Sequence, residues 1–223
     1  MSLIVHALSA YASYKREEID WRDIDYDINK FVKALKHKEL KGSGGLTDAR
    51  GMRLLFSQAK PDNALTIFAC WGARRLRHLN LGEVTLVPVP SSKCVEFGMD
   101  SAPMRMARAL HSVTQKHGAA MQPWLRLREA MPSASSDGGT RNMVAIQANL
   151  LVSPLIDKRR IVLIDDVKTT GNHLRACAAV LRSAGAEVST VLVAASTVWS
   201  QHPRPLRLDP EDLEPPLRHG MFR

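Results

Sequence analysis

Cysteine is scarce in this chain of 223 residues, and its three positions, Cys70, Cys94 and Cys177, never fall at the C-x-x-C spacing of a metal or redox motif. That excludes a cysteine-rich zinc ribbon and argues against a disulfide framework, which leaves three packing thiols. Long apolar runs are missing too. Nothing approaches the ~20 residues that cross a bilayer, and residues 1–14 lack the basic start and long apolar stretch of a secretory signal. The expectation is a cytoplasmic protein with no membrane partner. No internal repeat is present. No helix-turn-helix, zinc-finger or aromatic-interleaved basic pattern marks a nucleic-acid reader.

What the chain does have is a hydrophobic fraction of 45%. That is enough for one substantial core with a small extra lobe, in a chain too short for two full-sized domains. The formal charge is +9. Residues 201–223 balance four Arg against four acidic residues, so the excess sits in the body. A surplus of that sign suits a polyanion, either a pyrophosphorylated sugar or a nucleic acid, and charge alone does not separate these from an ordinary basic surface.

Residues 160–174 carry the chemistry. Ile161, Val162, Leu163 and Ile164 have the length and two-sided hydrophobicity of an interior parallel strand, which puts Asp165 and Asp166 at its carboxyl end. Ligands of open α/β sheets collect there. Thr169, Thr170 and Gly171 then turn a run of backbone N–H groups toward one point, and a helix starting near Asn172 adds its positive end. Leu174, Cys177, Ala178 and Leu181 give that helix its apolar stripe, Gly185 ends it, and residues 188–195 read as the next buried strand. The order builds a sugar-phosphate site. Any side chain at Gly171 is expected to obstruct the phosphate while leaving the fold intact, because the loop reads as exposed.

Residues 21–41 read as a strand or turn and then a basic helix, with Ile28, Phe31, Val32 and Leu35 on its apolar face and glycines at 42–45 as its stop. A second helical zone is expected at about 49–58. A third covers 64–78, its Arg74, Arg75 and Arg77 complementing the dipole at its end. Residues 83–90 form a second buried strand ending in a Pro-rich bend, directly followed by Ser91, Ser92 and Lys93. Ser101 and Pro103 start a helix with the stripe Met104, Ala107, Leu110 and Val113. Residues 132–140 are Ser/Gly-rich, either a lid over a site or a plain surface connection.

The architecture expected is α/β, a doubly wound, mostly parallel sheet: an N-terminal helical hood at 1–80, a core at 81–200 and a Pro-rich tail at 201–223. The tail either packs on a neighbouring subunit, as in a homodimer, or stays disordered.

The 160–174 segment resembles the fingerprint of type I phosphoribosyltransferases, in which a strand precedes two acidic residues and a Thr-Thr-Gly loop that together take phosphoribosyl pyrophosphate (PRPP). The resemblance implies that fold. It also implies that Asp165 and Asp166 bind the ribose 2- and 3-hydroxyls, directly or through Mg²⁺, and that Lys168, Thr169, Thr170, Gly171 and Asn172 hold the 5-phosphate. Within the family the chain is similar, over residues 26–195, to the ComF-like branch named after competence protein F. The segment from Tyr26 to Gly42 looks like that branch's Y…K-x-x-G helix. Val87-Pro88-Val89-Pro90 and then Phe97-Gly98-Met99-Asp100-Ser101-Ala102 parallel its V-P-V-P…R-G-F-N-Q-A segment, and Arg141-Asn142 its R…N motif. Two departures stand out: the zinc ribbon common in that branch is missing, and the expected Arg-rich stretch after the Pro-Val-Pro turn keeps only Lys93.

The activity so implied is an enzyme's: Mg²⁺-dependent transfer of phosphoribosyl from PRPP to an acceptor, with release of pyrophosphate. Breaking the bond at C1 of the ribose leaves positive charge on the sugar and negative charge on the leaving group, so fixed charges of both signs are required. Asp165 and Asp166 orient the sugar and the metal, while Ser91, Ser92, Lys93 and Arg141 receive the pyrophosphate. Purine enzymes with this loop place an acid where this chain has Thr169, which argues against purine salvage of that type. The acceptor stays open: an amine, another base, or none. The alternative is a non-catalytic PRPP sensor or DNA-handling accessory protein of the competence type, with direct nucleic-acid binding unsupported by any motif.

Overall fold

The computed structural model describes residues 2–14, 18–47, 51–132, 142–156 and 160–214. The chain runs β1 (Ile4–Ala12), α1 (Asp23–Leu35), β2 (Ser43–Thr47), β3 (Arg53–Ser57), α2 (Asp62–Leu79), β4 (Val84–Pro88), α3 (Ala102–Thr114), β5 (Ala119–Met121) and β6 (Leu125–Leu127). It continues through α4 (Met143–Asn149), β7 (Leu150–Val152), β8 (Arg160–Lys168), α5 (Asn172–Ser183) and β9 (Glu187–Val198) to β10 (Glu211–Asp212). Six strands form the main sheet in the order β10-β1-β9-β8-β4-β5. All neighbours in it are parallel except β10, which runs antiparallel to β1.

Both faces of the sheet are covered, as its near-continuous hydrophobic strands require. One face buries Leu86, Val162, Ile164 and Leu192 against Ile28, Phe31 and Leu35 of α1, Phe68 of α2, and Met106 and Leu110 of α3. The other buries Val87, Ile161, Leu163 and Val193 against Leu174, Cys177 and Leu181 of α5 and Ile146 of α4. The architecture is therefore α/β, a mostly parallel sheet wound on both sides. The helix starts follow local chemistry: the Ser101 hydroxyl accepts from Met104 N at 3.3 Å to cap α3, and the Asn142 side chain accepts from Val144 N at 2.9 Å to cap α4.

Three expectations are corrected. The helical zone at 49–58 is instead strand β3, paired antiparallel with β2, for the part that lies inside the described residues. The cause is non-local. Gly44 lies opposite Phe56, and a Cβ there would sit 2.6 Å from the Phe56 ring, so the glycines read as a helix stop are the floor on which that ring packs. Secondly, β1 does not belong to a hood. It pairs with β9 inside the main sheet, and Ile28, Phe31, Phe56 and Phe68 share one core cluster with β4, β8 and β9. Thirdly, the tail through Glu214 folds onto its own chain. Ala10 N donates to Pro205 O at 2.7 Å, β10 covers the edge of β1, and Leu213 is 5% exposed. Among the described residues no helix is long and apolar enough to cross a membrane.

Candidate functional site

Strand β8 is central in the sheet, and its carboxyl end presents Asp165 and Asp166. The alternation of a strand sends the two side chains to opposite faces. Asp165 comes off the α5 face, where burial, and then the Asp165 charge, push the Cys177 thiol up. Its carboxylate also folds back, its Oδ1 accepting from Asp166 N at 2.8 Å. Asp166 comes off the other face and meets Lys36 Nζ at 3.2 Å. Burial, and then the neighbouring Asp166 charge, raise the Asp165 carboxyl well above the usual carboxylate range, against the pull of the Asp166 N–H and Lys36. Two like charges thus share one strand end, one of them desolvated.

The loop beyond divides sharply by exposure. Thr169 and Thr170 are exposed, while Gly171 is buried and takes the left-handed conformation, φ 77°, at the N-cap of α5. Asn172 N lies 3.5 Å from Thr170 Oγ1, and Arg175 Nη1 donates to Asn172 Oδ1 at 3.0 Å. Two expectations change here. Lys168, read as a phosphate ligand, is buried, and its ammonium pairs with the Glu211 carboxylate of the tail. Gly171 is not free to vary either: a Cβ there would meet Leu213 Cδ1 at 2.8 Å and Cδ2 at 2.9 Å. The glycine is demanded by the backbone and by the tail, and its substitution touches the fold as well as the loop.

The second loop of the site follows β4, which pairs in parallel with β8 as far as Pro88 opposite Ile164. Val89 N then donates to Ile164 O at 2.9 Å, so this loop departs beside the acidic pair. Ser91 to Cys94 form a turn, Cys94 N donating to Ser91 O at 2.9 Å, and the Ser91 hydroxyl lies 3.1 Å from Cys94 Sγ. Lys93 is exposed. Ser92 O accepts from Met131 N at 2.7 Å, which anchors the start of the Ser/Gly-rich segment beside the same loop. Arg141 and residues 133–140 lie outside the described residues.

The sheet thus gathers Asp165, Asp166, Thr169, Thr170, Asn172 and the Ser91–Lys93 turn at one edge, and removes Lys168 from it. Sequence reasoning missed Lys36. Its only signal was its place at the end of a basic helix, since the meeting with Asp166 depends on how α1 lies across the sheet. Among the described residues no group of three or more His, Cys, Asp or Glu side chains is placed to hold a metal ion.

No protein-family model matches the chain, and no curated protein matches it either. Among solved structures it is similar to the hypoxanthine-guanine phosphoribosyltransferase from Schistosoma mansoni in complex with IMP, at 11% identity and a TM-score of 0.34, covering 85% of this chain and 72% of that one. It is also similar to a phosphoribosyltransferase from Corynebacterium diphtheriae, at 15% identity and a TM-score of 0.33, covering 78% of this chain and 82% of that one. Superpositions this loose carry no argument about what the chain does.

Proposed function

We propose that this protein binds PRPP at the carboxyl end of β8 and transfers its phosphoribosyl group to an acceptor with release of pyrophosphate. The observation that carries the reading is the like-charged Asp165–Asp166 pair, one carboxyl desolvated, set directly before a Thr-Thr-Gly loop that opens helix α5. A desolvated acidic pair gains from a cation or from hydroxyl donors, and the ribose diol offers two such donors. The α5 N-terminus and the exposed Thr169 and Thr170 suit a phosphate.

Mg²⁺ fits this donor set in part. Asp165 and Asp166 would supply two oxygen ligands, and among the described residues no third acidic neighbour is placed to join them, which suits a hard cation that completes its shell with diphosphate oxygens and water. When bound, it supplies charge neutralisation at the diphosphate. The chain's own part is positional. Asp165 and Asp166 hold the ribose, the 169–172 loop fixes the 5-phosphate, and Lys36 at Asp166 and the exposed Lys93 of the turn after β4 bring cations. Fixed charges of that kind favour the separated charges of the transition state over the ground state.

The exposed Lys93 is the only cation in the turn after β4, an observation that favours a second reading in which the site senses PRPP without turning it over. Calorimetry with PRPP, with and without Mg²⁺, tests binding, and pyrophosphate release against a panel of nucleobases and amines separates the two readings. Heat on PRPP addition that grows with Mg²⁺ is expected. No heat at millimolar PRPP in either condition rejects both readings, and binding without pyrophosphate release from any acceptor leaves the sensor.

A further inference from the structure

We propose that the C-terminal strap, residues 211–214, is a positioning part of the phosphate site, setting the shape of the Thr169–Gly171 loop from behind. The inference rests on the reading of that loop as the holder of the 5-phosphate. Its ground is a set of contacts spaced along the loop. Glu211 pairs with the ammonium of Lys168, the residue just before the loop. The Leu213 methyls fill the place where Gly171 would carry a side chain. Leu213 O accepts from Arg175 Nε at 2.9 Å, and the same guanidinium donates to Asn172 Oδ1 at 3.0 Å. Glu214 meets Arg182 Nη1 at 2.7 Å, two turns further along α5. The strap thus grips the residue entering the loop, the residue closing it and the first turn of the helix.

The strap is itself firmly held. Asp212 lies opposite Ile4 and Glu211 opposite Val5 in the β1–β10 pairing. Leu213 N donates to Leu3 O at 3.0 Å, and Asp212 Oδ1 accepts from Leu3 N at 3.3 Å and Glu214 N at 2.9 Å. A phosphate nest works by pointing several N–H groups at one place, so its affinity depends on how little the backbone must be ordered when the ligand arrives. Lys168 takes a new role in this arrangement. Its charge is spent on Glu211, and it works as a tether for the loop.

The test is ribose 5-phosphate calorimetry on the full chain and its variants, at a temperature where melting curves show every variant folded. Glu211→Gln and Leu213→Ala should each weaken binding on the order of tenfold, the size of a coupling between touching groups, and Leu213→Met, which keeps the bulk, should bind as the parent does. Gly171→Ala should weaken binding further, and adding Leu213→Ala to it should recover part of the loss by removing the methyls that the new Cβ strikes. Additive effects in that pair, or unchanged affinity in both Glu211→Gln and Leu213→Ala beside a parent that binds, overturn the inference and leave the proposed function standing. Should Leu213→Ala fail to fold, Glu211→Gln decides together with the double variant Lys168→Met/Glu211→Gln, which removes the buried ammonium that the single change leaves unpaired. A parent that does not bind ribose 5-phosphate overturns the proposed function, and the inference with it.

Discussion

The two ends of strand β8 are built on opposite terms. At its start, Arg160 Nε donates to Glu187 Oε1 at 3.0 Å and Nη1 to Leu81 O at 2.6 Å, so the charge there is met on both sides. At its other end two carboxylates follow one another, with Lys36 at 3.2 Å from one of them and burial working against the other. A cavity of about 200 Å³ lies toward the quiet end, lined by Leu76, Val84 and Ala119 with Arg77 and His117, and by no carboxylate. The contrast teaches that unfavourable electrostatics marks this site better than hollow space does. One end of the strand is satisfied as it stands, and the other sets burial and a like charge against Asp165.

The largest expected break in that contrast comes from replacing Asp165 and Asp166 together by Asn, which should weaken PRPP binding by roughly 100-fold or more in calorimetry, because neutral amides neither hold a cation nor accept charged hydrogen bonds. Asp165→Asn alone should raise the thermal midpoint at pH 7. The raised carboxyl means that the folded protein holds a proton more firmly than the unfolded chain, so ionisation costs stability as pH climbs above the normal carboxylate range. Asn keeps an oxygen for the Asp166 N–H, and the gap between variant and parent should close as the pH is lowered toward 4. Equal midpoints at pH 7 would show that no tension is stored there.

Gly171→Val comes next. A positive φ and the Leu213 methyls act together, so roughly 2–4 kcal/mol of stability should be lost in urea unfolding along with ribose 5-phosphate binding. A smaller effect belongs to two histidines, the buried His6 and His173, whose Nε2 is buried without a hydrogen-bond partner among the described residues. Burial holds His6 and His173 down at about 4. As pH falls from 6.5 toward 4 the unfolded chain takes up protons that the folded protein refuses, and stability falls, by roughly 2 kcal/mol per histidine at pH 5. His173→Gln should remove its share of that slope in urea midpoints measured across the range, and an unaltered slope would mean that His173 is not sequestered. The smallest change is expected at the quiet end: Arg160→Met should cost roughly 1 kcal/mol and leave PRPP affinity alone. Lost affinity there would erase the distinction between the two ends.

Much of this was legible in the chain because it is local. An unbroken run of branched apolar residues, a pair of acids and a Thr-Thr-Gly turn announce β8, the loop and α5 without help from distant residues. The stripes of α1 and α3 and the start of α3 at Ser101 were readable for the same reason. What stayed hidden depends on partners far away in sequence. Strand β1 mixes His6 and Ser9 among small residues and becomes a buried strand only between β9 and β10. Arg53–Ser57 has a helix-compatible composition until the glycines of β2 come opposite Phe56. Within the site, the acids and the Thr-Thr-Gly loop could be placed, but the pairing of Lys168 with Glu211 and the reach of Lys36 to Asp166 could not, since each joins elements that touch only in the finished sheet.

The position of β1 carries a consequence for how the chain comes to be folded. It leaves the ribosome well before its neighbours, β9, which starts at Glu187, and β10, which starts at Glu211. Until Glu187 and the residues after it are made, this nine-residue, mostly apolar strand has neither partner available. Contacts of such long sequence separation close late and slowly. An unpaired strand of that kind is a hazard for aggregation while it waits. The helices over β4 and β8 can gather early, whereas the full β1–β9 pairing needs residue 198, and the turn at 169–171 cannot reach its final packing before residues 211–214 are made.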